Sequence, residues 1–302
     1  MNAFWIITTG SLVAITCSLL GCYLILRKMA MIGDAISHAV LPGIVIAFLY
    51  TGQRDSMVML FAAALTGVFT TLLIELIHKK GKLQTDASIG VTFTLLFAIG
   101  IIMISVFAGQ VDLDQDCVLY GEIAYVPFDV WLLDSGINLG PRAIWVLGGV
   151  LLIIIAFISL GYKPLYATTF DPGFAFTIGI SIPLWHYLLM SLVSITTVAS
   201  FEIVGAILVI AFLVVPPATA YLLTDDFKKM LMISSGIGIL TAGSGYYLAV
   251  ALNGSIAGAM AVMAGIFFTL AFFFSPSHGL LFKKLRKKRA LLQGHEEGAT
   301  TI

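Results

Sequence analysis

Long apolar runs separated by short polar stretches divide the chain. They fall at residues 4–26, 35–50, 57–77, 89–108, 143–160, 182–199, 203–223, 230–251 and 256–274. A helix that crosses a bilayer needs about 20 predominantly apolar residues, so each run predicts a spanning helix, the second being short. A tenth segment, 117–133, is only mildly apolar and carries Glu122, Pro127 and Asp129, which suits an interfacial or re-entrant piece. The pattern predicts an all-α, polytopic membrane helical bundle of eight to ten spans. The first run lacks a basic leader and is longer than the apolar stretch of a signal peptide, so it reads as the first span.

Composition sharpens this picture. Of the 302 residues 60% are hydrophobic and 11% charged, against about 45–50% and 25% in soluble domains, and the mean hydropathy is +1.05. That excludes a soluble enzyme, a disordered chain and a nucleic-acid-binding module, so no nucleic acid is expected as a partner. The charges balance at 16 basic and 16 acidic residues, and only their placement is informative. With the basic tail at 283–289 on the cytoplasmic side, nine spans put all basic residues except Arg54 and Arg142 on that side, 14 of 16. This asymmetry obeys the positive-inside rule and predicts an outside N-terminus and an inside C-terminus. Residues 1–282 form the membrane domain, and 283–302 a basic cytoplasmic tail whose polar end, from Gln293, is expected to be disordered.

Asp112, Asp114, Asp116, Glu122, Asp129 and Asp134 fall on the outer side. They read as a solvated loop, or as an anionic vestibule or docking surface. Cys17, Cys22 and Cys117 give no disulfide framework. On the inner side, 161–179 is unlike the other loops. Asp171 can cap a helix whose first position is Pro172, and residues 174–180 then form a short helix at the cytoplasmic face, suited to being pushed by another subunit. Segment 164–181 is the coupling candidate, with Asp171, Pro172, Gly173 and Phe174 at its centre.

Ionisable residues within a span cost roughly 2.5–3.5 kcal/mol on insertion scales, and this chain has few. The clearest pair is Asp34 and His38 in Gly33-Asp34-Ala35-Ile36-Ser37-His38-Ala39-Val40-Leu41-Pro42-Gly43. Four residues apart on a helix, they share one face. A carboxylate oxygen and an imidazole nitrogen suit manganese, iron or zinc better than magnesium or calcium. Two ligands hold an ion weakly, as transit requires; the alternative is an Asp–His hydrogen bond that satisfies two buried polar groups. Pro42 lacks an amide hydrogen and loosens the helix just beyond the pair. Glu202 near the outer mouth is a further possible contact on the metal path, and His186 a weaker one. Glu75 and His78, beside Lys79 and Lys80, read as local charge pairing. Pro216 and Pro217 predict a kink near the cytoplasmic end of the seventh run. Gly254, Gly258, Ala261 and Gly265 place small residues on one face of the last, a pattern that lets helices approach closely. The chain has no GxxxxGK[ST] phosphate loop and neither HExxH nor GxSxG, so ATP binding by that loop, zinc proteolysis and serine hydrolysis have no support.

The run from Gly33 to Gly43 resembles the signature of the permease subunits of bacterial manganese, zinc and iron ABC importers. Val204 to Ala220, with Pro216 and Pro217, resembles the family's second hallmark, and the segment around Asp171-Pro172 its coupling region. The double proline stands where the family often has Pro-Ala. The resemblance covers nearly all of the chain up to about Phe274. It implies a type II ABC importer-like fold in the bacterial cytoplasmic membrane, a second permease copy, cytoplasmic ABC ATPase subunits and an extracellular or periplasmic metal-binding protein. It places Asp34 and His38 on the metal path. The transported divalent metal is then the only ion involved, with no permanently bound cofactor and with ATP hydrolysis in a separate subunit. The form Ser-His-Ala-Val-Leu-Pro-Gly leans toward manganese. Competing functions are a zinc or iron importer permease, or a secondary metal transporter or channel that needs no ATPase.

Overall fold

The computed structural model describes residues 2–51, 56–107, 123–132, 138–275 and 279. Among the described residues, twelve α-helices carry the fold: α1 (Asn2–Leu26), α2 (Ile32–Ala39), α3 (Leu41–Thr51), α4 (Ser56–Gly81), α5 (Thr85–Phe107), α6 (Arg142–Leu160), α7 (Tyr162–Phe170), α8 (Pro172–Thr177), α9 (Ile182–Val204), α10 (Ala206–Leu223), α11 (Phe227–Leu252) and α12 (Ile256–Phe274). Among the described residues, nine helical stretches are long and apolar enough to cross a membrane, with α2 and α3 together forming the second. The described part of the tenth segment is a turn, a short 3-10 helix (Val126–Phe128) and a strand, β1 (Val130–Leu132). This strand pairs antiparallel with β2 (Asn138–Pro141). The acidic positions 112, 114, 116, 122 and 134, Arg54 and the basic tail lie outside the described residues.

The helices fall into two packed groups. Helix α1 lies against α10 and α11, and α12 packs on those two; α4 lies against α3, α5 and α9; α2 touches α4, α5, α9 and α10 between them. Small residues set the spacing of the first group. Gly238 faces Ala14, and Gly10 faces Ala242 and Met260. Close approach of this kind is what associates helices in lipid, where apolar surface has no water to escape. The small face of α12 is different: among the described residues, a side chain at Gly258 would meet only Ser255 of its own turn, and one at Gly265 would meet nothing within 4 Å.

Pro216 and Pro217 sit inside α10, which stays helical through both. Pro217 has no N–H for the carbonyl of Leu213, and that carbonyl lies against Gly21 of α1. The double proline therefore sits where two helices touch, and only a residue without a side chain fits opposite it. One end of the bundle gathers the end of α1, the α4 segment bearing Glu75 and Lys79, the helices α7 and α8, and the start of α11. Phe227 is the hub there, with rings of Tyr23, Tyr162, Tyr166 and Phe170 at 5.0–6.3 Å. This is the end that the basic residues mark as cytoplasmic.

Candidate metal site

Helix α2 buries nearly everything it carries. Ile32, Gly33, Ala35, Ile36, Ser37 and Ala39 are buried, and only Asp34 and His38 remain part exposed. The four-residue spacing puts both on the uncovered stripe of an otherwise enclosed helix. Gly33 lies against the Leu213 side chain and Ile36 against Gly67, so the buried faces are fixed by α10 and α4. Ser37 is not part of the stripe; its hydroxyl donates back to the Gly33 carbonyl at 3.0 Å.

The Asp34 Oδ1 and His38 Nε2 atoms are 3.4 Å apart, with side chains 29% and 33% exposed. That is long for a strong charged hydrogen bond, which closes to about 2.7–2.9 Å. It matches another geometry. Two ligand atoms each about 2.1 Å from one ion, at tetrahedral to right angles, are themselves roughly 3.0–3.4 Å apart. The His38 ring meets Phe97 edge-on at 5.6 Å and Phe93 at 6.0 Å. These phenylalanines are the ninth and thirteenth of the 23 residues of α5, which places the imidazole about halfway through the span. The helix is interrupted at Val40, between α2 and α3. Pro42 supplies no N–H to the carbonyl of His38, while Val40 still donates to Ile36 and accepts from Ile44, both at 3.1 Å. The break therefore begins just beyond the pair.

Among the described residues no group of three or more His, Cys, Asp or Glu side chains could hold a metal ion. Asp34 and His38 are the two candidate ligands that the described residues of one chain bring to this place. Glu202 is not in a loop: α9 continues to Val204 and the connection to α10 is Gly205 alone, at φ +81°. Glu202 is thus an exposed residue of the last turn of α9. His186 is the fifth residue of α9, at the opposite end, where its Nδ1 lies 3.4 Å from an Arg27 nitrogen. Glu75 pairs with Lys79, and His78 Nδ1 lies 2.8 Å from the Leu83 carbonyl oxygen.

The coupling candidate is two helices rather than one. Residues 162–170 form α7, with Pro164 tolerated in the first turn. Asp171 then caps α8, its carboxylate accepting from the Phe174 N–H at 2.9 Å, with Pro172 at the first position. Helix α8 starts two residues earlier than the run 174–180 and stops at Thr177, before Gly179 at φ +79°. It buries Ala175 and exposes Phe174 and Phe176 at 56% and 75%, with the capping Ile178, four residues after Phe174 and on its side, at 52%, so apolar side chains are presented at the basic end of the molecule.

Sequence reasoning passed over Phe93 and Phe97, because two phenylalanines four apart on an apolar helix read as ordinary packing. It also passed over Arg27, which reads as a cytoplasmic anchor of the first span.

Residues 2–275 match the ABC 3 transport family. The chain is 51% identical over 282 residues to the "Manganese transport system membrane protein MntD" of Bacillus subtilis (strain 168), covering 93% of this chain and 95% of that protein. It is 40% identical over 281 residues to the "Zinc transport system membrane protein TroD" of Treponema pallidum (strain Nichols), covering 91% and 75%. Among solved structures it is similar to "PsaBC from Streptococcus pneumoniae in complex with Fab", with a TM-score of 0.76 and 30% identity over 93% of this chain and 94% of that one.

Proposed function

The chain belongs to the ABC 3 transport family, and from that premise we propose that it is the permease through which an ATP-driven importer carries a divalent transition metal, manganese first, across the bacterial cytoplasmic membrane. Hydrolysis of ATP belongs to a separate subunit in this family. The observation that carries the reading is the Asp34–His38 stripe: two ligand atoms 3.4 Å apart, near the middle of a span, on the only open face of a buried helix.

A carboxylate part open within a span is costly, roughly 2.5–3.5 kcal/mol on insertion scales. A second copy of the chain, applied stripe to stripe, removes the pair from lipid and brings the ligands to four. Four replace most of the hydration shell of an ion while leaving it free to depart. Membrane lipid covers the remaining apolar flanks. An extracellular metal-binding protein delivers the ion at the face of β1 and β2, and the ATPase engages α8 at the other end. The interruption at Val40 lets α3 change its angle to α2, so the pair can open to alternate sides. No resident cofactor is needed; the metal is cargo.

The test is radioactive manganese uptake in cells lacking their own importer, carrying this chain with and without its ATPase, with zinc and iron as competitors. Uptake that needs the ATPase and is lost in Asp34→Ala and His38→Ala, with the complex still assembled, is the expected result. Uptake without the ATPase would favour a channel or secondary transporter, and uptake surviving both substitutions would remove the site. Stronger competition by zinc would shift the cargo to zinc, as the name of the Treponema relative suggests.

A further inference from the structure

Arg27 lies at the junction of the coupling segment and the metal helix. Its Nε and Nη2 groups donate to the hydroxyls of Thr169 and Thr168, each at 3.1 Å, and both threonines belong to α7. Its Nη1 lies 3.4 Å from His186 Nδ1 at the start of α9. Because a guanidinium only donates, the imidazole nitrogen there is the acceptor. Thr168 is buried, and its own proton goes to the Leu165 carbonyl at 3.2 Å, so its oxygen is free to accept. A planar fork reaching two hydroxyls and a ring is a contact that lysine cannot reproduce.

The other side of Arg27 is equally constrained. Arg27 closes α1, and the chain turns at once into α2. Lys28 takes the left-handed conformation at φ +58° and donates to Ile25 at 3.0 Å, while Met29 donates to Leu24 at 2.9 Å. These two bonds form the Schellman motif that rigidly ends a helix. Ile32 then donates to Met29 at 3.2 Å, and Asp34 follows two residues into α2. A stiff turn of only a few residues thus separates the α7 contact from the first metal ligand.

We propose that Arg27 is a positioning residue that passes movement of the coupling segment to the helix bearing Asp34 and His38. Displacing α8 moves α7, which is continuous with it through Asp171. The Arg27 fork carries that displacement into the capped turn, and the turn tilts α2. The aromatic hub around Phe227 keeps α7 seated against α1 and α11, so the fork stays in register. This inference rests on the importer reading above.

The experiment uses the full chain with its ATPase subunit in lipid vesicles and measures radioactive manganese taken up per ATP hydrolysed, with manganese bound at rest measured by electron paramagnetic resonance. Arg27→Ala and the double change Thr168→Val with Thr169→Val should each lower uptake per ATP, by roughly 5–150-fold if the contact carries a typical coupling between sites, with resting manganese binding unchanged. Combining all three changes should cost no more than Arg27→Ala alone, since they break one contact. Arg27→Lys should recover part of the ratio. An unchanged ratio in the threonine variant, which leaves Arg27 and its turn intact, overturns the inference even if Arg27→Ala fails to assemble. Loss of resting binding in step with uptake also overturns it, because Arg27 would then merely hold the site together. A wild-type complex with no ATP-dependent uptake would instead overturn the importer reading itself.

Discussion

Asp171→Ala tests whether α8 must be a formed helix to meet the ATPase. Helix α8 has only six residues, far fewer than a helix needs to hold alone in water. Its start is held by one capping bond, from the Phe174 N–H to the Asp171 carboxylate at 2.9 Å. Replacing such a cap by alanine costs about 1 kcal/mol, within a range of roughly 0.5–2. At tenfold per 1.4 kcal/mol, that lowers the ratio of formed to frayed α8 about fivefold. Phe174 and Ile178, four residues apart, share a face only when the helix is formed. Six residues without their cap are mostly frayed, so apparent affinity for the ATPase falls by up to the same factor. The assay is binding of purified ATPase subunit to the permease in lipid nanodiscs. Asp171→Asn and Asp171→Ser keep an acceptor and should bind within about twofold of the wild type. Wild-type affinity in Asp171→Ala would refute the reasoning. So would equal weakness in all three variants, which would assign the effect to charge and not to the cap.

Other consequences follow from packing and charge. Gly21→Ala would drive a methyl group into the Leu213 carbonyl and the Pro217 ring, and overpacking of this kind costs about 1–3 kcal/mol; thermal unfolding in detergent should show a lowered midpoint, and an unchanged one would mean that α1 and α10 are not pressed together there. Burial lowers the Arg27 guanidinium to about 10 from its ordinary 12.5, so between those values the unfolded chain binds more protons and stability from this group rises with pH only above about 10. The midpoint difference between wild type and Arg27→Gln should therefore stay constant from about pH 7.5 to 9, and a drift across that window would contradict the assigned surroundings.

The bilayer made most of the fold legible. A span must be long and apolar whatever its neighbours, so the nine runs correspond to the nine stretches, among the described residues, that are long and apolar enough to cross a membrane. Where neighbours decide, the runs mislead. The seventh run opens at 203, yet α9 holds its geometry to Val204 because Gly205 alone makes the turn. Helix α7, with a proline, a lysine and two threonines among nine residues, has no apolar periodicity to announce it; its rings and hydroxyls make sense only against Phe227 and Arg27. Pro216 and Pro217 predict a kink from sequence, but that the Leu213 carbonyl they leave without a donor is set against Gly21 depends on α1 and was not readable. The Asp34–His38 spacing was readable because four residues make one helical turn. That every other side chain of α2 is covered was not readable, because burial depends on α4, α5, α9 and α10 together.

The central claim is that two copies of this chain hold one cargo ion between their Asp34–His38 pairs. The most direct measurement is manganese bound per chain in the purified permease in lipid nanodiscs, counted by electron paramagnetic resonance. The account predicts one ion for every two chains, lost in Asp34→Ala and in His38→Ala. One ion per chain, or binding that persists in either variant, would contradict it.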